Sequence, residues 1–134
     1  MSIALIESYY RAFNAAEPEA MLALLSDDVV HDVNQGGREV GKTAFAAFLA
    51  RMERAYREQL TEMAIMADST GTRFAAEFTV LGTYLEADPG FPRAHGQSYC
   101  LPAGAFLEVH GGKITRVTTY YSLADWLRQV GGAA

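Results

Sequence analysis

The sequence predicts an α+β domain in which helices cover one face of a curved, antiparallel sheet. Three observations predict it. The first fifty-odd residues carry apolar side chains at helical spacing, whereas the rest alternates in the manner of strands. The four long strand-like runs follow one another through turns too short for a parallel return, so they pair antiparallel. No strand–helix alternation builds a parallel sheet, which leaves helices packed on one side of an antiparallel one.

The elements follow in order. From Ser2 to Ala15, Ile3, Ile6, Tyr10 and Phe13 recur at helical spacing, with Leu5 and Tyr9 widening the stripe. Pro18 suits the first turn of a second helix that reaches about Leu25. A β-branched run, Val29 to Val33, is a short strand, and "NQGG" is a turn signal. A third helix begins near Gly41 and shows Phe45, Phe48, Leu49, Met52 and Tyr56 on one face. Then "EQLTEMAIMAD", "TRFAAEFTVLGTYLE", "GQSYCLPAGAFLEVH" and "KITRVTTYYS" are strands, separated by "STG", the long "ADPGFPRAH" and the tight "HGGK". In the second of them Phe74, Ala76, Phe78, Val80 and Tyr84 share one parity, opposite Arg73, Glu77, Thr79 and Thr83. "LADWLRQV" is a short last helix.

Residues 1–134 are read as one domain, a length that can bury a single sizeable core. A net charge of −5 without a basic cluster argues against nucleic acid as a partner. Cys100, the only cysteine, permits no intrachain disulfide and fits a reducing compartment. "MSIALIESYY" lacks a basic flank, and no run approaches the ~20 apolar residues of a membrane span. A cytoplasmic protein without a membrane partner is expected.

"GGREVGKT" (Gly36 to Thr43) satisfies the pattern of a phosphate-binding loop, and "AIMAD" could pass for its magnesium-binding partner. Such a loop works between a parallel strand and the helix whose N-terminus faces the phosphates. This chain lacks the alternations that build that sheet, so the match is read as accidental.

Several stretches, in this order and spacing, resemble one superfamily. "YYRAFNAAEPEAMLALLSDDVVHDV" looks like its opening two helices and first strand, and "GREVGKTAFAAFLARM" like its third helix. "AAEFTVLGTY" is similar to its strand with a Gly-Thr-aromatic step, and "HGGKITRVTTYYSLADWLRQVG" to its final hairpin, strand and helix. The superfamily is that of ketosteroid isomerase, the SnoaL-like polyketide cyclases and nuclear transport factor two. The resemblance implies a cone-shaped, curved antiparallel sheet with three N-terminal helices on its concave face. It also implies an apolar pocket for a small hydrophobic carbonyl compound, isomerisation or cyclisation by proton abstraction, and no cofactor. The alternative is a non-catalytic binding or dimerisation module of the same fold.

Residue by residue, the isomerases' catalytic aspartate falls on Asp32, and their oxyanion-donating tyrosine on Tyr9, five residues before Asn14. Their second acid would fall between Ala103 and Phe106, where no acid stands. The cyclases' aspartate before the last helix is replaced by Ser122. A carboxylate in an apolar pocket is a stronger base because burial disfavours its charged form. Asp32 is equally readable as a strand-end residue bonded to its turn, and Tyr9 as a core tyrosine. Phe13, Asn34, Phe48, Met52, Phe78, Tyr121 and Trp126 are the candidate lining, though periodicity does not separate lining from core. His31 and Asp32 are adjacent on a strand, so they face opposite ways. His31, His95 and His110 lack metal-ligand spacing, and no metal is expected. Glu77 is placed on the outer face. Alternating apolar residues on a sheet covered on one side predict a homodimer.

Overall fold

The computed structural model describes residues 2–131. The order is α1 (Ser2–Asn14), α2 (Pro18–Leu22), β1 (Leu25–Asp32), β2 (Arg38–Val40), α3 (Lys42–Ala55), β3 (Tyr56–Ala67), β4 (Arg73–Tyr84), β5 (Ser98–His110), β6 (Lys113–Tyr121) and α4 (Leu123–Val130). The six strands form one sheet in the order β2-β1-β6-β5-β4-β3.

The class and the four long antiparallel strands are those the sequence predicts. Three details differ. Arg38–Val40 pairs antiparallel with β1 as an extra short strand, in a stretch whose glycines read only as a turn. β1 lies parallel to β6, which is allowed because nearly the whole chain forms the crossover between them. α2 is a single turn, ending at Leu22 because Leu25 is already paired with Ile114 in the sheet. The "GGREVGKT" stretch therefore spans a turn, β2 and the start of α3, and Lys42 Nζ lies 3.7 Å from the Asp27 carboxylate.

The core lies between the helices and one face of the sheet, here the inner face. On β4 Phe74, Ala76, Phe78, Val80, Gly82 and Tyr84 are all buried, and the intervening residues are not. α1 lays Tyr10 against Phe78, with rings 5.6 Å apart. It ends at Asn14, whose amide donates to Leu60 O (3.0 Å) and accepts from Leu60 N (2.9 Å). β3 is an edge strand, and Asn14 satisfies two of its otherwise open backbone groups. Gln129 on α4 does the same for Cys100 on β5, at 2.8 and 2.9 Å.

α3 passes directly into β3. Its last carbonyl, Ala55 O, accepts from Leu85 N (2.7 Å) and Glu86 N (3.3 Å), so the end of β4 completes the helix terminus. Tyr56 therefore belongs to the strand (φ −136°, ψ 148°), not to the helical stripe in which its spacing places it. From that residue the inner parity of β3 runs Tyr56, Glu58, Leu60. No helix among the described residues is long and apolar enough to cross a membrane.

Candidate functional site

The two residues singled out for catalysis stand on opposite sides of the sheet. Asp32 pairs with Thr118 on the outer face. Its carboxylate accepts from Arg38 Nε (2.6 Å) and Nη2 (3.1 Å) and from Arg116 Nε (2.8 Å), while Arg116 also reaches Glu108 at 3.3 Å. The hydrogen bonds from Arg38 and then Arg116 hold its pKa down to about 2. A base needs the opposite shift, so the apolar-pocket role expected for Asp32 is corrected: two guanidiniums favour its charged form. Tyr9 is a core residue of α1, 4% exposed and edge-on to Tyr10 at 5.1 Å. Burial pushes its hydroxyl pKa well above the ordinary tyrosine value. Nothing brings the two together.

The other candidates divide. Asn34 lies in the β1–β2 turn, away from the core. Phe78 is buried under Tyr10, and Phe13 packs partly buried against the same core. Phe48 on α3 meets the His31 ring at 4.4 Å, and Met52 lies half-buried one turn further on. Tyr121 and Trp126 belong to a cluster that the sequence reading did not assemble.

That cluster occupies the inner face where β3, β4, β5, β6 and α4 meet. Trp126 is its centre, with ring centroids 5.0 Å from Tyr84, 5.3 Å from Phe91, 6.0 Å from Tyr56 and 6.1 Å from Tyr99. Two carboxylates sit within this aromatic shell, each accepting from a phenol. Tyr99 donates to Glu58 Oε2 at 2.5 Å, and Tyr56 to Asp88 Oδ2 at 2.9 Å. Gly82 makes the first pair possible: a Cβ there would stand 2.2 Å from the Tyr99 ring, which crosses the strand at this point to reach Glu58. This is the physical content of the Gly-Thr-aromatic step.

Burial pushes the Glu58 pKa up, opposed only in part by the hydrogen bond from Tyr99. Its Oε1 accepts no hydrogen bond among the described residues, and neither does the Tyr121 hydroxyl take part in one. Burial, then the charges of Glu58 and Asp88, raise the Tyr121 pKa, so it stays a neutral donor. Asp88 reaches the cluster from the "ADPGFPRAH" loop. Its backbone N donates to Tyr84 Oη (3.0 Å), which itself donates to Pro92 O (2.7 Å). The parity Tyr56, Glu58, Leu60 would have disclosed Glu58 in the sequence, had the strand been started two residues earlier. Asp88 and Tyr99 carry no such signal, because a loop contact and a cross-strand reach depend on the folded chain.

An open groove of about 590 Å³ runs along Arg57, Gln59, Leu81, Thr83, Ser98, Cys100 and Gln129, and Glu58, Gly82 and Tyr99 also border it. Among the described residues, no three His, Cys, Asp or Glu side chains converge as a metal ion requires.

A curved sheet, three helices on its inner face and buried carboxylates set among aromatic rings define a cone-fold domain of the nuclear transport factor two type. Residues 6–117 match the SnoaL-like domain, and the chain belongs to that family. It is similar to a protein of Pseudomonas putida KT2440 with the provisional name polyketide cyclase: 55% identity, 97% of this chain and 98% of that one covered, TM-score 0.95. A protein of Silicibacter sp. TM1040 with the same provisional name is 53% identical over 99% and 96% of the chains, TM-score 0.95. An epoxide hydrolase of M. tuberculosis shares the fold alone, at 20% identity over 96% and 84% of the chains, TM-score 0.71. No functionally curated protein matches the chain.

Proposed function

We propose that the protein transfers a proton on a small, apolar carbonyl compound held against the Tyr56–Glu58–Tyr121 wall, as an isomerase or an aldol-type cyclase without cofactor. The observation that carries this reading is Glu58: a carboxylate with burial-raised pKa, steadied on one oxygen by Tyr99 and unpartnered on the other. Its free oxygen takes the proton next to the carbonyl. The Tyr121 hydroxyl donates to the oxygen on which negative charge develops, and the Trp126 cluster keeps water away from both. The provisional name of the relatives supports the same class.

The test is deuterium exchange at the enolisable position of 1-tetralone, followed by NMR. The wild type accelerates exchange, Glu58→Gln loses about 10²–10⁴-fold of the acceleration, and Asp32→Asn keeps it. Equal exchange by wild type and Glu58→Gln would refute the assignment.

A second reading is favoured by the absence of an acid between Ala103 and Phe106: a binding module that sequesters such a compound without turning it over. Tight 1-tetralone binding without acceleration would select it. In either case we propose a homodimer through the outer face, a reading supported by Met66, Leu81, Phe106 and Tyr120, which remain between 45% and 50% exposed. Sedimentation equilibrium of Phe106→Lys against wild type tests this: the variant sediments as a monomer.

A further inference from the structure

His31 is the inward-facing neighbour of Asp32, and neither the cluster around Trp126 nor the proposed reaction uses it. It is 6% exposed, and its ring lies 5.0 Å from that of Phe45 and 4.4 Å from that of Phe48. Register places it opposite Glu39 on β2, and Nδ1 stands 3.5 Å from Glu39 Oε1. Both atoms are sealed from solvent, and neither has another polar partner among the described residues. Each is therefore the only available partner of the other. A carboxylate oxygen held behind Nδ1, on a Glu39 side chain otherwise 39% exposed, selects the tautomer that carries its hydrogen there. Nε2 is then left with its lone pair, with no hydrogen bond among the described residues and outside the set of sealed, unpaired atoms.

The groups facing His31 come from three elements. Glu39 on β2 and Asp32 on its own strand favour the protonated ring; Arg51 on α3 and burial disfavour it, burial most of all. The outcome is a pKa below the ordinary histidine value, hence a neutral imidazole at pH 7. Arg51 lies over the Phe48 ring, 5.4 Å from its centroid, and its Nε is 3.9 Å from Asp88. Phe48 and Arg51 of α3 thus connect His31 to the Asp88–Tyr56 pair.

We propose that His31 is a second proton acceptor of the inner face, with Glu39 as its positioning residue and Nε2 presented along α3 to an O–H group of a bound apolar molecule. A proton passes from that hydroxyl to Nε2, leaving an alkoxide or enolate on the ligand. The resulting imidazolium keeps its Nδ1–H on Glu39, which balances the new charge. The inference does not rest on Glu58.

Two measurements on the folded chain test it. Nitrogen-detected NMR of the wild-type imidazole reports the neutral tautomer with hydrogen on Nδ1. Acylation by diethyl pyrocarbonate, with the modified histidine located by mass spectrometry, shows His31 reacting through Nε2. Its pH–rate midpoint lies below 6.5 and moves lower still in Glu39→Gln, which keeps an acceptor behind Nδ1 but removes the charge. A hydrogen on Nε2, an unmodified His31 once His95 and His110 are fully acylated, or a midpoint unmoved in Glu39→Gln overturns the proposal. Glu58→Gln leaves all these readouts unchanged, so failure here is distinct from failure of the tetralone experiment.

Discussion

Asp32 and Glu58 are the same functional group on the two faces of one sheet, and the faces drive them in opposite directions. On the outer face Asp32 lies among charges of both signs, and two arginines pull its pKa down to about 2. On the inner face Glu58 has rings around it and one phenol hydrogen bond, and desolvation pushes its pKa up. The first is held ionised by its network, and the second carries the upward shift that a base requires. Which chemistry a carboxylate performs is decided by what stands within a few ångströms of it, not by its place in a motif.

The comparison breaks most severely if the inner shell is removed. Trp126→Ala takes away the ring that Tyr56, Tyr84, Phe91 and Tyr99 share, and costs about 3–5 kcal/mol in urea unfolding. If the aromatic shell raises the Glu58 pKa, proton-transfer activity is lost as well, even where the variant remains folded. Gly82→Ala is smaller but more pointed. The new methyl group occupies the path of Tyr99, costing about 1–3 kcal/mol by overpacking and releasing Glu58 from its donor. If the cost of Gly82→Ala disappears when it is made in a Tyr99→Ala background, that clash is identified as the cause.

The two acids also carry opposite pH signatures. Asp32 is stabilising in its charged form: its contribution is complete above the unfolded value near 3.8 and is lost as pH falls through about 2. Asp32→Asn therefore costs on the order of 1 kcal/mol at pH 7, once screening of this partly exposed network is allowed for, and the difference from wild type vanishes only below about pH 2. Glu58 has a raised pKa, so its protonated form is the one the fold favours, and stability falls as pH rises through that value. Glu58→Gln consequently unfolds at equal or slightly higher urea than wild type at pH 7. The smallest effect is expected of Tyr121→Phe, which removes an unpaired hydroxyl. It leaves the urea midpoint within about 0.5 kcal/mol of wild type while slowing tetralone exchange.

The long strands and the inner parity of β4 were readable because alternation over twelve residues needs no knowledge of neighbours. β1 was not readable in the same way. Its register shifts between Leu25 and Val30, which erases the frame. The sequence states only that His31 and Asp32 face opposite ways; which of them lies inside is set by the pairing with β6. Tyr56 misled for a related reason: a helix running into a strand without a turn offers two periodicities for one residue, and the helical one matched first.

Composition and periodicity thus determine, without help, the α+β class, the antiparallel succession and the residues of the core stripe, because these follow from the local spacing of apolar side chains. The charge state of Asp32, the pairing of Glu58 with Tyr99 across Gly82, the arrival of Asp88 at Tyr56 and the seclusion of His31 with Glu39 were decided only in the folded chain. Each depends on which distant group displaces water from a polar atom, and that is a property of three-dimensional proximity.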